Sequence, residues 1–439
     1  MPPDLLHPRP DLPLLAILGY AVTAFAIGLA LTPWFIAFLR RNKLGKQLRV
    51  ETVDGRDPTI FLKYHEKKFG TPTMGGLLIW GSILITVIFS RLLAFLGIVH
   101  NSLLQRGQVY LPLFVMVTLG MLGAVDDYLN IIGADQERLR QLMPRMRRFL
   151  VLSVLIVLLG WSAYLWFGLR TVDQALFAIA VKFLIAVIAI LFVLSLFWIV
   201  VLGISSAGID DLLNRFLVRQ GKRRGLGVLP KITTLLLISG IGAFWFSFKL
   251  GYDVITVPFL GPWPVGLWYI PIVMFLIIGS ANAVNVTDGL DGLAGGLLVI
   301  AFGAFGTLAY VHGLFILSAF CAVAVGAIAA FLWHNVPPAL FFMGDAGSLA
   351  LGGVLAVIAL MTDQILILPL IGFVFVIEMF SVIIQLTSKK LRGGKKVFRA
   401  APIHHHFEAL EWGESKVTMR LWIVGAFMAL LGIIIGMVG

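Results

Sequence analysis

The chain has 439 residues, of which 59% are hydrophobic and only 13% charged, with a formal net charge of +12. Apolar runs of about twenty residues, each long enough to cross a hydrocarbon core, recur along the whole length and exclude a soluble domain built on one core. One cysteine, Cys321, lying inside an apolar run, excludes a disulfide framework and a Cys-based metal site.

The first span is 14–39. The residues before it carry Asp4, Asp11 and several prolines without a basic leader region, so this span is expected to be a permanent helix and not a cleaved signal. Further spans are expected at 75–97, 109–129, 149–169, 175–203, 231–248, 266–286, 293–311, 315–334, 348–361, 366–387 and 418–438. The span 348–361 is short and Gly-rich, which packing against neighbouring helices tolerates. Twelve spans place both termini on one side. The loops 40–74, 131–148, 204–231 and 388–420 hold most of the 34 Lys and Arg, so these loops are cytoplasmic and both termini extracytoplasmic. The fold class is therefore an all-α polytopic membrane protein embedded in the lipid bilayer. Its positive charge is mainly a topology signal, with contact to anionic lipid secondary. No nucleic-acid partner is expected, because the basic residues are spread over membrane-side loops without a nucleic-acid module.

On this topology the polar clusters all fall at cytoplasmic helix mouths. They are "GAVDDYLN" with Asp126 and Asp127, "NAVNVTDGLDGLAGG" with Asn282, Asn285, Asp288 and Asp291, "FFMGDAGS" with Asp345, and "PIHHHFE" with His404, His405 and His406. Each acid alone reads as a solvated helix end, but convergence of all of them on one face asks for chemistry. Carboxylates and Asn amides are hard oxygen donors that suit Mg²⁺, which is held by one or two carboxylates together with substrate phosphates. A diphosphate substrate follows. The three-residue spacing from Asn282 to Asp291 forms a slowly winding polar stripe that faces protein or a cleft, with an interhelical hydrogen-bond seam the alternative for Asn282. Gly289 and Gly292 break the helix there and make backbone N–H groups available to an anion. The His run is internal, hence not a tag, and lacks the ligand spacing of a zinc site. Phosphate contacts from one or two imidazoles, with the third packed structurally, is the preferred reading.

"KFGTPTMGG" (68–76), "GAVDDYLN", "NAVNVTDGLDGLAGG", "FFMGDAGS" and "PIHHHFE", in this order, resemble the phospho-N-acetylmuramoyl-pentapeptide transferases (translocase I) of the polyprenyl-phosphate N-acetylhexosamine-1-phosphate transferase superfamily. The resemblance covers residues 14–130 and 225–438. It implies an enzyme of the bacterial inner membrane, its site facing the cytoplasm, that makes lipid I and UMP from UDP-MurNAc-pentapeptide and undecaprenyl phosphate in peptidoglycan synthesis. It implies Mg²⁺ as cofactor, with Asp345 the main ligand and Asp126 and Asp127 metal-binding or lipid-phosphate-activating carboxylates. Lys68 and Thr73 are implied to hold nucleotide and phosphate. Asn282, Asn285, Asp288, Gly289, Leu290, Asp291, Asn335 and Phe342 are implied to line the uridine and phosphate pocket, Asp291 and Phe342 at the uracil end. His405, flanked by His404 and His406, is implied to meet the diphosphate, and Lys231 matches a basic residue at a helix start. A homodimer is a further partner the resemblance allows.

The sequence departs from the family pattern in two places. Asn130 stands where the family commonly has Lys. Residues 131–217 look like an insertion carrying two extra transmembrane helices, 149–169 and 175–203, into a ten-helix core within the single membrane domain 1–439. The insertion ends in "SSAGIDDLLN" (205–214), an echo of "MLGAVDDYLN" (121–130), so Asp210 and Asp211 compete with Asp126 and Asp127 for the catalytic role; the first pair is preferred because its helix follows the "TPTMGG" helix and keeps Tyr128. Two other functions remain open at this level: a polyprenyl-phosphate GlcNAc-1-phosphate transferase, and a transporter, which would bind near the midplane between repeated halves and not at helix mouths.

Overall fold

The structure, a computed structural model, describes residues 14–45, 68, 70–97, 102–104, 107–132 and 228–438. The chain divides into two compact units, Met1–Asp127 with Leu235–Gly439, and Tyr128–Thr234. The expected spans 149–169 and 175–203, with Asp210 and Asp211, lie outside the described residues. Of the second unit, 128–132 and 228–234 are described, both helical.

The helices, in chain order, are α1 (Leu14–Arg41), α2 (Gly76–Phe95), α3 (Tyr110–Ile132) and α4 (Val228–Phe244). A hairpin of β1 (Val254–Val257) and β2 (Gly261–Pro264) follows. The last helices are α5 (Tyr269–Thr287), α6 (Leu293–Val311), α7 (Phe315–Asn335), α8 (Asp345–Met361), α9 (Leu368–Ile371), α10 (Phe373–Leu391), α11 (Ile403–Glu408) and α12 (Glu414–Val438). Long apolar runs become helices because only a helix pairs every backbone N–H and C=O internally where no water is available. Among the described residues, eight helices are long and apolar enough to cross a bilayer. The protein is a multi-pass membrane protein.

Helices α6, α7 and α8 form the interior of the first unit, and every residue of α8 from Ala346 to Leu360 is buried. Small residues let backbones approach: Gly28 of α1 faces Ala330 of α7, and Gly326 of α7 faces the Ala21 carbonyl, so that α1 lies flat on α7. α5 packs along α8, placing the end of α5 beside the start of α8.

Three expectations need correction. The 348–361 span begins earlier, at Asp345, because the first turn of α8 is completed by acceptors from elsewhere in the chain. The 366–387 span is broken at Gly372 into α9 and α10, a backbone change within unbroken apolar composition. The polar stripe winds along a helix only through Asn282 and Asn285. Helix α5 ends at Thr287, so Asp288 caps it and Asp291 stands in the following turn, which Gly292 closes with a φ of +77°.

Candidate functional site

The turn that starts α8 is the centre of the site. Phe342 N donates to Pro72 O at 2.8 Å, while Gly75 N and Gly76 N donate to Phe342 O and Met343 O, also at 2.8 Å. The "TPTMGG" segment thus braces "FFMGD" through backbone hydrogen bonds, strand-fashion. Gly344 turns the chain with a φ of +72°, a conformation that suits glycine. A side chain there would also overlap the Asp127 carboxylate and crowd the Thr73 hydroxyl.

The first N–H groups of α8 have no partners within the helix. Asp127 supplies them: its Oδ1 accepts from Asp345 N at 3.2 Å and its Oδ2 from Ala346 N at 3.1 Å. A carboxylate at this position is favoured by the helix dipole. Asp288 accepts from Gly344 N through Oδ2 at 3.2 Å. Asn285, one turn back on α5, donates to Asp345 Oδ1 at 2.7 Å and to Ser348 Oγ at 2.8 Å. Gly123, one turn before Asp127 on α3, abuts the Asp345 carbonyl so closely that a Cβ would collide with it. Three separate segments therefore bring Asp127, Asp288 and Asp345 to residues 344–346. Asp126 and Asp127 are both buried, and Asp127 feels the like charges of Asp345 and Asp126.

A second cluster sits around Asp291. Lys68 Nζ bonds Asp291 Oδ1 at 2.6 Å and also contacts Glu414 Oε1. Glu414 Oε1 accepts from Asp291 N at 2.6 Å, and Asp291 Oδ2 accepts from Ala339 N at 3.0 Å. The Lys68 ammonium lies 5.8 Å from the centre of the partly exposed Phe342 ring. Asn335, buried, ties the surrounding loops together: Oδ1 accepts from Gly292 N at 3.0 Å and Nδ2 donates to Phe341 O at 2.9 Å. One cation between two carboxylates, beside an aromatic face, is an arrangement suited to a planar polar ring with hydrogen-bonding edges.

The three histidines are not equivalent. His404 is fully buried, its Nδ1 3.0 Å from Glu378 Oε2 on α10. Its Nε2 abuts Gly289, where a Cβ would overlap it, and has no hydrogen-bond partner among the described residues. His405 Nδ1 meets Glu408 Oε2 at 2.6 Å. His406 Nδ1 accepts from Arg399 N at 3.2 Å. His404 is thus enclosed, while His405 and His406 are partly exposed.

The remaining expected residues have the following surroundings. Asn282 Nδ2 donates to Ile278 O at 2.8 Å within its own helix. Leu290 is core, 3% exposed. Lys231 belongs to the second unit. Two residues escaped the sequence reading, Glu378 and Glu414. Glu378 had a signal, being the lone acid within an apolar run; Glu414 had none.

Among the described residues no three His, Cys, Asp or Glu side chains form a ready-made cation cage. The donors at the start of α8 nevertheless fit Mg²⁺, which needs only one or two carboxylates beside phosphate oxygens. Asp127 and Asp345 are neighbouring like charges that a divalent cation would relieve, and each Asp127 oxygen keeps acceptor capacity beyond the N–H it already binds.

Comparison with known proteins gives consistent results. The Glycosyl transferase family 4 profile matches residues 193–363. A phospho-N-acetylmuramoyl-pentapeptide-transferase of Chloroflexus aurantiacus is 34% identical over 431 residues, 95% of this chain and 89% of the relative. Proteins of the same name from Geobacillus sp. (strain WCH70) and Bacillus mycoides are each 35% identical, across 94% and 96% of this chain and 96% and 98% of their own lengths.

Proposed function

The chain belongs to the phospho-N-acetylmuramoyl-pentapeptide-transferase family, and from that premise we propose that it transfers phospho-MurNAc-pentapeptide from UDP-MurNAc-pentapeptide to undecaprenyl phosphate, yielding lipid I and UMP for peptidoglycan synthesis. The observation that ties this reaction to particular residues is the meeting of Asp127, Asp288 and Asp345 at residues 344–346. In the reaction a phosphate oxygen of the lipid attacks the β-phosphorus of the nucleotide. The bond from that phosphorus to the bridging oxygen breaks, and the oxygen leaves with UMP.

The protein's part is positioning and neutralisation of charge. Lys68, Asp291 and Phe342 hold the uridine end, with Glu414 keeping Lys68 and the Asp291 backbone in place. Backbone at Gly289 and Leu290 and the imidazole of His405, flanked by His404 and His406, face the diphosphate. Asn285 orients Asp345, and Asp127 fixes the start of α8 that carries it. Mg²⁺, held by Asp345 with Asp127 and Asp126, would supply the positive charge that offsets the developing phosphoryl charge. The concentration of Lys and Arg in four loops supports a cytoplasmic position for this face, with the termini outside, in a bacterial inner membrane. We also read residues 131–217 as an insertion relative to the family pattern.

The test is UMP release by the purified chain. Release that requires UDP-MurNAc-pentapeptide together with undecaprenyl phosphate, stops with EDTA and returns with Mg²⁺ is the expected result. Turnover of UDP-GlcNAc in place of UDP-MurNAc-pentapeptide would move the chain to the related GlcNAc-1-phosphate reaction.

A further inference from the structure

The membrane face opposite the carboxylates carries a feature that the transfer reaction does not use. Helix α5 runs from Tyr269 to Thr287 and delivers Asp288 to the site at its far end, so the β1–β2 hairpin preceding it stands at the other face. Residues 254–287 contain no Asp, Glu, Lys, Arg or His, and the first part of this stretch, 254–268, is hairpin and turn outside α5. The hairpin is fastened to the helices on one side. Thr256 Oγ1 donates to Asp363 Oδ2 at 2.5 Å just beyond α8 and Ile255 is buried, while Val265 N and Gly266 N close the base of the hairpin itself on Asp253 O at 2.8 and 2.9 Å. Its other side is bare: Phe259, Leu260, Trp263, Leu267 and Trp268 are 69%, 70%, 57%, 76% and 74% exposed.

A cluster of large apolar side chains this open is not left to water without a reason. Trp268, the residue that leads into α5, and Phe275 on α5 are both 74% exposed, and both belong to the membrane-spanning stretch Gly266–Thr287. The hairpin's bare side therefore continues the lipid-facing surface of α5. A water-soluble protein partner would be met by a polar rim, which this charge-free stretch does not provide, whereas two Trp at a helix mouth suit the headgroup layer. We propose that the 254–268 segment is an interfacial anchor, its Phe259–Leu260 tip and Trp263, Leu267 and Trp268 seated in the headgroup and upper acyl region of the leaflet opposite the active site.

The full chain, with Phe259→Cys carrying an environment-sensitive fluorophore, is reconstituted in phosphatidylcholine–phosphatidylglycerol vesicles; the native Cys321 is fully buried and does not compete for label. Asp253→Cys, at the exposed base of the hairpin, is the reference, and Leu260→Cys is the second position should the first variant fail to fold. Expected is emission blue-shifted relative to the Asp253 probe, with roughly twofold stronger quenching by lipid nitroxides near the headgroup than by nitroxides at the acyl terminus. Water-like emission quenched by aqueous iodide overturns the proposal. So does a probe shielded from both quenchers that becomes exposed when vesicles are diluted to one protein each, the outcome for a second copy of the chain. Neither readout requires turnover, so the result stands apart from the transferase assignment.

Discussion

Glu378 is a carboxylate fully buried within an apolar helix, with Oε2 on His404 and Oε1 lacking a partner among the described residues. Such a group is costly within a membrane protein unless it serves the site. Its contact aims His404 Nε2 at Gly289, so it positions an imidazole against the loop that carries Asp288 and Asp291. Glu378→Gln, which keeps the shape and removes the charge, is expected to lower kcat by about tenfold, the scale seen when a partner that orients a functional imidazole is lost, with KM for the nucleotide changed less; steady-state UMP release measures both. Glu414 acts at the other cluster and predicts the opposite split. Glu414→Gln weakens the hold on Lys68 and Asp291, so KM for UDP-MurNAc-pentapeptide is expected to rise several-fold while kcat stays within about twofold. The two glutamates also mark where sequence reading stops at this scale. A lone acid in an apolar run is visible in principle, but the Lys68–Glu414 pairing joins residues separated by 346 positions, and no local pattern encodes it. The role of Asp127 as a cap on another helix is hidden for the same reason, although its residue type and Gly-rich neighbourhood were legible.

At the scale of elements, the start of α8 decides the geometry. Its first N–H groups are completed by Asp127, its turn by Gly344, and its approach to α3 by Gly123. Gly123→Ala places a methyl group against the Asp345 carbonyl, so it is expected to cost about 1–3 kcal/mol by overpacking and to reduce turnover by displacing Asp345; thermal unfolding in detergent and UMP release check the two parts separately. Among the described residues most membrane-spanning helices were legible from hydropathy to within a few residues, as with the span 293–311, which coincides with α6. The failures share a cause. α8 begins before its apolar run because a distant carboxylate caps it, and the break at Gly372 leaves composition unchanged, so neither alters the hydrophobic signal on which the reading rests.

For the whole molecule, composition alone decided the class. A chain with 59% hydrophobic residues folds into a helical multi-pass membrane protein because hydrocarbon leaves the backbone no other way to satisfy its polar groups. What hydropathy could not supply was which helix ends meet, and that is where the catalytic proposal resides: residues from α3, the end of α5 and the start of α8 assemble one acidic centre at one face. The duplicated "IDDLLN" motif at 209–214 is the rival for that centre. One measurement separates them: UMP release from UDP-MurNAc-pentapeptide, with undecaprenyl phosphate and Mg²⁺, by Asp345→Asn, Asp127→Asn and the double variant Asp210→Asn with Asp211→Asn. Loss of about 10³-fold in the first two, with turnover preserved in the double variant, is the predicted result; full turnover by Asp345→Asn, or loss confined to the Asp210 and Asp211 variant, would contradict it.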